Sequence, residues 1–153
     1  MTVEIKLEGF SELEAELEKL SKAAGKAALR RVLKRRAQPL ADAMRSKAPR
    51  GETEDLARSV AVSTKLSKRQ ARMHRKMFKD DRASVEMFLG AGPDPAAWTQ
   101  EFGTIHHAAQ PFARPVWNAG KDAFLDGLKE DLWAEIQKTV ARAEARAARI
   151  ARL

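Results

Sequence analysis

The N-terminal third of the chain changes from a strand-like to a helix-like pattern of hydrophobic residues. Apolar and charged side chains alternate over residues 3–7, a period of two that predicts a half-buried strand. From Ser11 onward, apolar residues recur at spacings of three and four, which predicts one long helix that ends by Ala48. Pro39 lies within this helix and is expected to kink or split it, because proline lacks a backbone N–H.

Two more alternating segments predict a second strand over residues 60–66 and a third strand over residues 84–90. The connection between them, residues 67–82, is unusually basic for a hairpin. Two interpretations of this connection are equally supported. One is a short helix, since Met73 and Met77 lie four residues apart, and the other is a mobile loop.

Glycine and proline residues divide the C-terminal half into a short helix, a turn and a last helix. Pro95 suits the first turn of the short helix, and Gly103 can end it in a left-handed conformation. The last helix is expected to begin near Arg114 or Pro115. Its predicted buried face contains Phe124, Leu128, Leu132 and Ile136. Residues 141–153 are almost all alanine and arginine, which predicts a helical arm with few side chains that pack deeply.

The predicted order of elements is β, long α, β, β, short α, α. Few strands and two substantial helices are typical of an α+β fold, and the length suits a single domain over residues 1–153. We therefore expect a small antiparallel or mixed sheet of about three to four strands. The long N-terminal helix and the C-terminal helix are expected to pack on one face of that sheet.

Composition adds a strong positive charge and removes several kinds of chemistry. The formal net charge is +8, and a basic excess attracts polyanions. The chain has no cysteine, which excludes disulfides and thiolate catalysis. No apolar run is long enough to span a membrane, and the N-terminus does not resemble a secretory signal, so no membrane partner is expected.

Candidate catalytic and metal-binding residues are few. His106 and His107 are adjacent, so their side chains point in different directions, and no ligand spacing accompanies them. Phosphate-binding glycine patterns and the nucleophile elbow GxSxG do not occur in the sequence. Glu101 is a conceivable general base beside these histidines, but hydrogen bonding of its carboxylate to loop amides is the favoured interpretation. We therefore expect no cofactor, no metal and no enzymatic activity.

Two basic segments are candidate contact surfaces. The first contains Lys68, Arg69, Arg72, Arg75, Lys76 and Lys79, and the second contains Arg142, Arg146 and Arg149. Each set is either a solvated surface or a surface that faces an acidic partner or the phosphates of DNA. The spacing of the second set places it on one face of a helix, where a charged arm that reaches a neighbouring subunit is the functional alternative. Aromatic residues are sparse in both segments, which disfavours stacking on single-stranded bases.

The segment from Trp98 to Pro115 carries the most distinctive motif of the chain. Its residues are Glu101, Phe102, Gly103 and Thr104, followed by Gln110, Pro111, Phe112 and Pro115. This motif resembles a signature of the HK97-type neck or tail-completion family of long-tailed double-stranded DNA phages. Upstream, Pro49 followed by Asp55-Leu56 and Ser59-Val60 is similar to the family's entry into its second strand, although Asp55 stands where a small residue is usual.

The resemblance implies a structural virion protein of a siphovirus or phage-like particle. The family's members form a homo-oligomeric ring, expected to be hexameric, in the neck at the head–tail junction. There a tail terminator stops growth of the tail tube and joins the tail to the head. The implied partners are the major tail tube protein, the head-side connector or stopper protein, and DNA that passes through the ring lumen without sequence recognition. Such a protein is made in the host cytoplasm. The alternative is a basic DNA-binding accessory protein, which the charged segments motivate.

In physical terms the motif is expected to be a rigid joint. Phe102 and Phe112 are the expected apolar anchors on either side of a tight turn. Gly103 permits the backbone geometry of that turn, and Pro111 fixes its exit. The joint would set the angle between the short helix and the last helix, which are the elements expected to meet a neighbouring subunit.

Overall fold

The computed structural model describes residues 11–79 and 85–152. Its elements are α1 (Ser11–Glu18), α2 (Lys22–Lys47), α3 (Asp55–Ser59), β1 (Ala61–Ser63), α4 (Lys68–Met77), β2 (Phe88–Gly90), α5 (Pro95–Phe102) and α6 (Arg114–Ala151). The described part is mostly helical, and its two longest helices, α2 and α6, have 26 and 38 residues.

Helices α2 and α6 run along each other in antiparallel directions and form the frame of the molecule. Arg31 of α2 pairs with Glu135 of α6, at 2.9 Å between nitrogen and oxygen. Further along α2, Arg36 pairs with Asp131. The later residue of α2 therefore contacts the earlier residue of α6, as expected for two antiparallel helices.

Apolar side chains form a core at each end of this helix pair. The first core joins α1 to the pair, and its buried residues are Leu13, Leu20, Val32, Leu132, Ile136 and Val140. The second core joins α3 and the start of α6 to α2, and its buried residues are Ala41, Met44, Ala48, Leu56, Ala57, Val60, Phe112 and Val116. Burial of apolar surface stabilises a fold by about 25 cal/mol per Å². The second core therefore fixes where α6 begins relative to α2.

Strands β1 and β2 form a two-stranded antiparallel sheet that lies against α2. The register pairs Ala61 with Gly90 and Ser63 with Phe88. Val62 and Leu89 pack against the second core. The prediction of three to four strands is wrong for the described residues, whose sheet has two, and the predicted strand over residues 3–7 lies outside them. The long helices also pack mainly on each other, not side by side on one face of a sheet.

The start of α4 explains why β1 is shorter than predicted. The Gln70 backbone N–H donates to the Ser67 hydroxyl at 3.2 Å, and the Ser67 backbone N–H donates to Gln70 Oε1 at 3.1 Å. This reciprocal capping box begins a helix soon after the strand ends. Of the two interpretations of the basic connection, the structure has the short helix, and it extends from Lys68 to Met77.

The N-terminal helix divides earlier than its proline predicts. Ser21 caps α2 by accepting a hydrogen bond from the Ala24 backbone N–H at 3.2 Å, which separates α1 from α2. Helix α2 then continues through Pro39, whose side chain is exposed. The expectation of a split at Pro39 is therefore wrong, because the packing of α2 on α6 offsets the loss of one backbone hydrogen bond.

Helix α6 continues well beyond its last buried residue, Val140. Every described residue from 141 to 152 is exposed. The alanine- and arginine-rich arm is thus a helix that projects from the end of the helix pair.

Candidate functional site

Local interactions fix α5, which carries the centre of the motif. The Asp94 side chain caps the helix by accepting a hydrogen bond from the Ala96 backbone N–H at 2.8 Å. Just upstream, the Gly92 backbone N–H donates to the Ser59 carbonyl at 3.1 Å, which ties this segment to the end of α3. Ala97 packs against the second core. The short helix is therefore anchored both at its beginning and along its inner face.

Gly103 ends α5 in a conformation that other residues rarely adopt. Its φ is 74° and its ψ is 179°. A Cβ at this position would lie 2.8 Å from the backbone nitrogen of Ala109 and 2.9 Å from the carbonyl oxygen of His107. The absence of a side chain lets the following turn fold back onto α5, where the Gln110 backbone N–H donates to the Gln100 carbonyl at 2.7 Å.

The turn after Gly103 presents an isoleucine to solvent. The Thr104 backbone N–H donates to the His107 carbonyl at 2.8 Å and closes the turn. Ile105, between them, is 94% exposed. Pro111, at the exit from the turn, is exposed as well.

Glu101, in the last turn of α5, caps the beginning of α6. Its Oε2 accepts hydrogen bonds from the backbone N–H groups of Phe112 at 2.8 Å and Ala113 at 3.0 Å, and its Oε1 accepts one from Arg114 at 2.9 Å. The Arg114 side chain donates from Nε to Oε1 at 2.9 Å. Ala113, the N-cap residue of α6, has no side-chain acceptor. Glu101 therefore supplies, from another helix, the acceptor that the first amides of α6 require.

The same contacts decide the charge of this carboxylate. Burial acts to raise the pKa of Glu101, but the backbone N–H groups of Ala113, Arg114 and Phe112 and the Arg114 side chain together lower it below its ordinary value. Glu101 is 6% exposed, and both of its oxygens accept hydrogen bonds from N–H donors. This ionised carboxylate therefore serves as a clamp between α5 and α6, and its oxygens are committed to that contact.

The two phenylalanines of the motif lie in different environments. Phe112 is 1% exposed and belongs to the second core, as expected of an anchor. Phe102 is 47% exposed, so the expectation that it anchors the turn in a core is wrong. Its ring packs against that of Trp98 in a tilted arrangement, with ring centroids 4.3 Å apart. The Arg114 guanidinium lies over the Phe102 ring, 4.4 Å from the ring centroid. Because Arg114 is hydrogen-bonded to Glu101, its guanidinium is held in place over the exposed Phe102 ring.

Three exposed apolar side chains therefore lie close together in sequence at this joint. We call Trp98, Phe102 and Ile105 the α5 patch; Trp98 is 66% exposed. The sequence-based site includes Phe102 but omits the other two. The spacing of four between the tryptophan and the phenylalanine on a short helix is the signal that could have identified them as one surface.

The basic residues of α4 share one face of that helix. Lys68, Arg69, Arg72, Arg75 and Lys76 are exposed, and their positions span about 120° of the helix circumference. Lys79 is exposed as well and lies just beyond the end of the helix. None of the six forms a salt bridge with any residue in the described ranges. The opposite face packs inward through His74, whose ring contacts those of Phe78 and Phe88.

The basic residues of the arm lie far from the joint along α6. Arg142, Arg146 and Arg149 are exposed, and within the described part of the chain they too form no salt bridge. The structure therefore does not bring the two basic sets and the motif into one site. It presents them as separate surfaces of a single chain.

The histidines do not assemble a catalytic or metal site with Glu101. His107 Nε2 lies 3.2 Å from Gln100 Oε1. Within residues 11–79 and 85–152, no group of three or more histidine, aspartate and glutamate side chains is placed to hold a metal ion. No helix in these ranges combines the length and apolar character needed to cross a bilayer.

A groove of about 700 Å³ opens between the sheet, α4 and the helix pair. Apolar residues dominate its lining, among them Leu33, Phe78, Trp117 and Phe124. Its charged lining residues, Glu86 and Arg114, do not face each other as an ion pair. The groove thus offers apolar contact area and not a set of convergent catalytic groups.

Comparison with known proteins places the chain in a phage family. A family model described as "Bacteriophage HK97-gp10, putative tail-component" matches residues 11–103. The match extends from α1 to the glycine that ends α5, so it includes Glu101 but not the later half of the motif. No curated protein and no solved structure matches the chain. Because the family model covers more than half of its residues, the chain belongs to the HK97-gp10-like family of bacteriophage tail components.

Proposed function

We propose that this protein is a tail terminator or tail-completion protein. Copies of it form a ring at the head-proximal end of the tail tube, stop the growth of the tube and join the tail to the head-side connector. Membership in a family of phage tail components supports a structural role in the virion. The resemblance of residues 101–115 to a neck-protein signature supports the position in the neck.

The observation that carries the proposal is the α5 patch and the way it is held. Exposed aromatic side chains at a rigid position are typical of protein–protein contact sites, where they supply contact area at low entropic cost. The Glu101 clamp and the Gly103 turn fix Trp98 and Phe102 relative to α6 before any partner binds. Such preorganisation lowers the entropic cost of association. The site is therefore suited to docking.

The charge of the chain fits the same proposal. A ring through which DNA passes benefits from cationic residues that attract phosphates without reading bases. The net charge of +8 and the exposed basic residues of α4 and the arm supply that attraction, either to DNA or to acidic subunits of the tail tube.

Particles assembled without this protein test the proposal. Electron microscopy of lysates from a phage or prophage that lacks the gene should show tails of abnormal length that are not joined to heads. Plasmid-borne wild-type protein should restore normal particles. Tails of normal length attached to heads in the absence of the protein would contradict the proposal.

The contribution of the patch is tested in the same complementation assay. The double variant Trp98→Ser/Phe102→Ser should fold but fail to restore particles, because it removes apolar contact area and leaves both cores intact. Ile150→Ser changes an equally apolar exposed side chain on the arm and serves as the matched control. Full complementation by the double variant would remove the patch from the proposal.

A second candidate function is non-specific DNA binding, and the one-signed basic face of α4 is the observation that favours it. Counterion release makes such binding fall steeply as salt rises. A fluorescent duplex should therefore bind the protein at low ionic strength and dissociate as salt is added. Absence of binding at low salt would reject this candidate and leave the structural role unaffected.

A further inference from the structure

We propose that the basic face of α4 docks onto an acidic stripe on α6 of a neighbouring copy, and that this contact repeats head to tail around the assembly. The inference rests on the proposed function, because it names the self-contact of the proposed ring. Its partner surface consists of Asp122, Asp126 and Glu130.

The acidic stripe lies on the outer side of α6. Its residues are spaced by four, so they share one helix face, and all of them are exposed. None of them forms a salt bridge with a residue of the described ranges. Lys129 lies at the edge of the stripe. Trp133, three residues after Glu130, lies on the same helix face and its ring is half-exposed.

The two surfaces point away from each other within one chain. Phe124 of α6 lines the apolar groove, and Asp126 lies about 200° further around the helix, on the opposite side. On α4, His74 and Phe78 line the same groove, and the basic face is again opposite. A chain therefore cannot pair its own two surfaces, and each surface needs a partner molecule.

The two surfaces also match in size and composition. The acidic stripe spans about 12 Å between its first and last Cα atoms, and α4 is about 15 Å long. Cations of α4 that form no salt bridge within residues 11–79 and 85–152 would meet carboxylates that form none there either. Met73 lies about 40° beyond the edge of the basic face and is exposed, and Trp133 is exposed beside the acidic stripe. Methionine sulfur and aromatic rings make favourable contacts, so the apolar margins are complementary too.

A second copy explains this surface better than DNA does. Phosphate contacts require cations but gain nothing from flanking thioether side chains, which lose exposure only against an apolar partner. The complementary stripe is supplied by the same chain, on the opposite side of the groove. Two different patches that bind each other form a head-to-tail interface, and such an interface generates a ring when its rotation closes.

Charge reversal and reciprocal rescue test the contact. The α4 variant Arg72→Glu/Lys76→Glu and the α6 variant Asp126→Lys/Glu130→Lys should each self-associate at least about tenfold more weakly than wild type in sedimentation experiments at low salt. An equimolar mixture of the two variants should assemble again, because each junction then joins a basic face to an acidic one. The chain with all four substitutions should assemble by itself.

A matched control separates the contact from net charge. Arg30→Glu/Lys34→Glu makes the same change of charge on an exposed part of α2 and should leave self-association unchanged. Equal loss in this control, unchanged assembly of the α4 variant, failure of the mixture to assemble, or a wild-type protein that stays monomeric at low salt would each overturn the contact. None of these results bears on particle morphology without the gene, so the proposed function can stand or fall separately.

Discussion

Arg114 binds Glu101 at two points, through its Nε to the carboxylate at 2.9 Å and through its Nη2 to the backbone carbonyl at 2.9 Å. The pair joins the last turn of α5 to the first turn of α6. Its guanidinium also covers the Phe102 ring. One ion pair thereby fixes the angle between the helices and the orientation of the exposed aromatic surface.

Removal of the Glu101 side chain should destabilise the fold strongly. Glu101→Ala leaves three backbone N–H groups at the start of α6 without an acceptor, which costs about 2–4 kcal/mol in the free energy of unfolding. Glu101→Gln keeps an acceptor oxygen but loses the charge and should cost less. Urea denaturation followed by circular dichroism measures both. Glu12→Ala, an exposed change in α1, is the control, and an equal effect of all three substitutions would contradict the clamp.

The same clamp should make stability depend on pH in the acidic range. The pKa of Glu101 is lower in the folded state than its ordinary value of 4.5, so the ionised carboxylate stabilises the fold above that value. This stability is lost as pH falls below 4.5 and through the folded-state pKa. Asp131, whose pKa is lowered by its hydrogen bond to Arg36, contributes with the same sign. The urea midpoint of wild type should therefore fall more steeply on acidification than that of Glu101→Gln, which lacks the Glu101 contribution. Parallel pH profiles would argue against an ionised clamp.

Gly103 should tolerate no side chain. Gly103→Ala places a Cβ 2.8 Å from the Ala109 nitrogen in a backbone region reserved for glycine. The expected loss is about 1–3 kcal/mol in the free energy of unfolding. Gly51→Ala is the matched control, because a Cβ there meets no atom within 4 Å. Thermal unfolding of the two variants should separate them clearly, and similar melting temperatures would contradict this account of the turn.

Periodicity predicted the helices better than their ends or the sheet. The predicted start of the last helix near Arg114 is confirmed, because proline and a regular apolar stripe mark it. The break between α1 and α2 at Ser21 was not predicted. The apolar spacing continues across this position, and the sequence alone does not show whether Ser21 caps a new helix or lies within one continuous helix. The extent of β1 depended on the capping box at Ser67, a local interaction that overrides the alternating pattern after Ser63.

The site was predictable in its positions and not in its contacts. The motif drew attention to Glu101 and Gly103, whose roles follow from short-range rules. Ala113 has no side chain that could cap α6, so the cap is provided by Glu101, thirteen residues before Arg114. No local sequence pattern predicts such a contact. The exposure of Phe102 likewise depends on how α5 is oriented on the second core, which is a tertiary property.

The two phenylalanines of the motif should separate folding from assembly. Phe112→Ala empties a fully buried position in the second core and should lower the free energy of unfolding by about 3–5 kcal/mol. Phe102→Ala removes a half-exposed ring with its Trp98 and Arg114 contacts, at a cost of about 1 kcal/mol or less. Despite that small cost, Phe102→Ala should lower complementation of a gene-deleted phage, whereas its purified protein keeps a near wild-type urea midpoint. If Phe102→Ala destabilised the protein as much as Phe112→Ala does, its ring would be a core anchor, and its loss of complementation would report folding instead of contact.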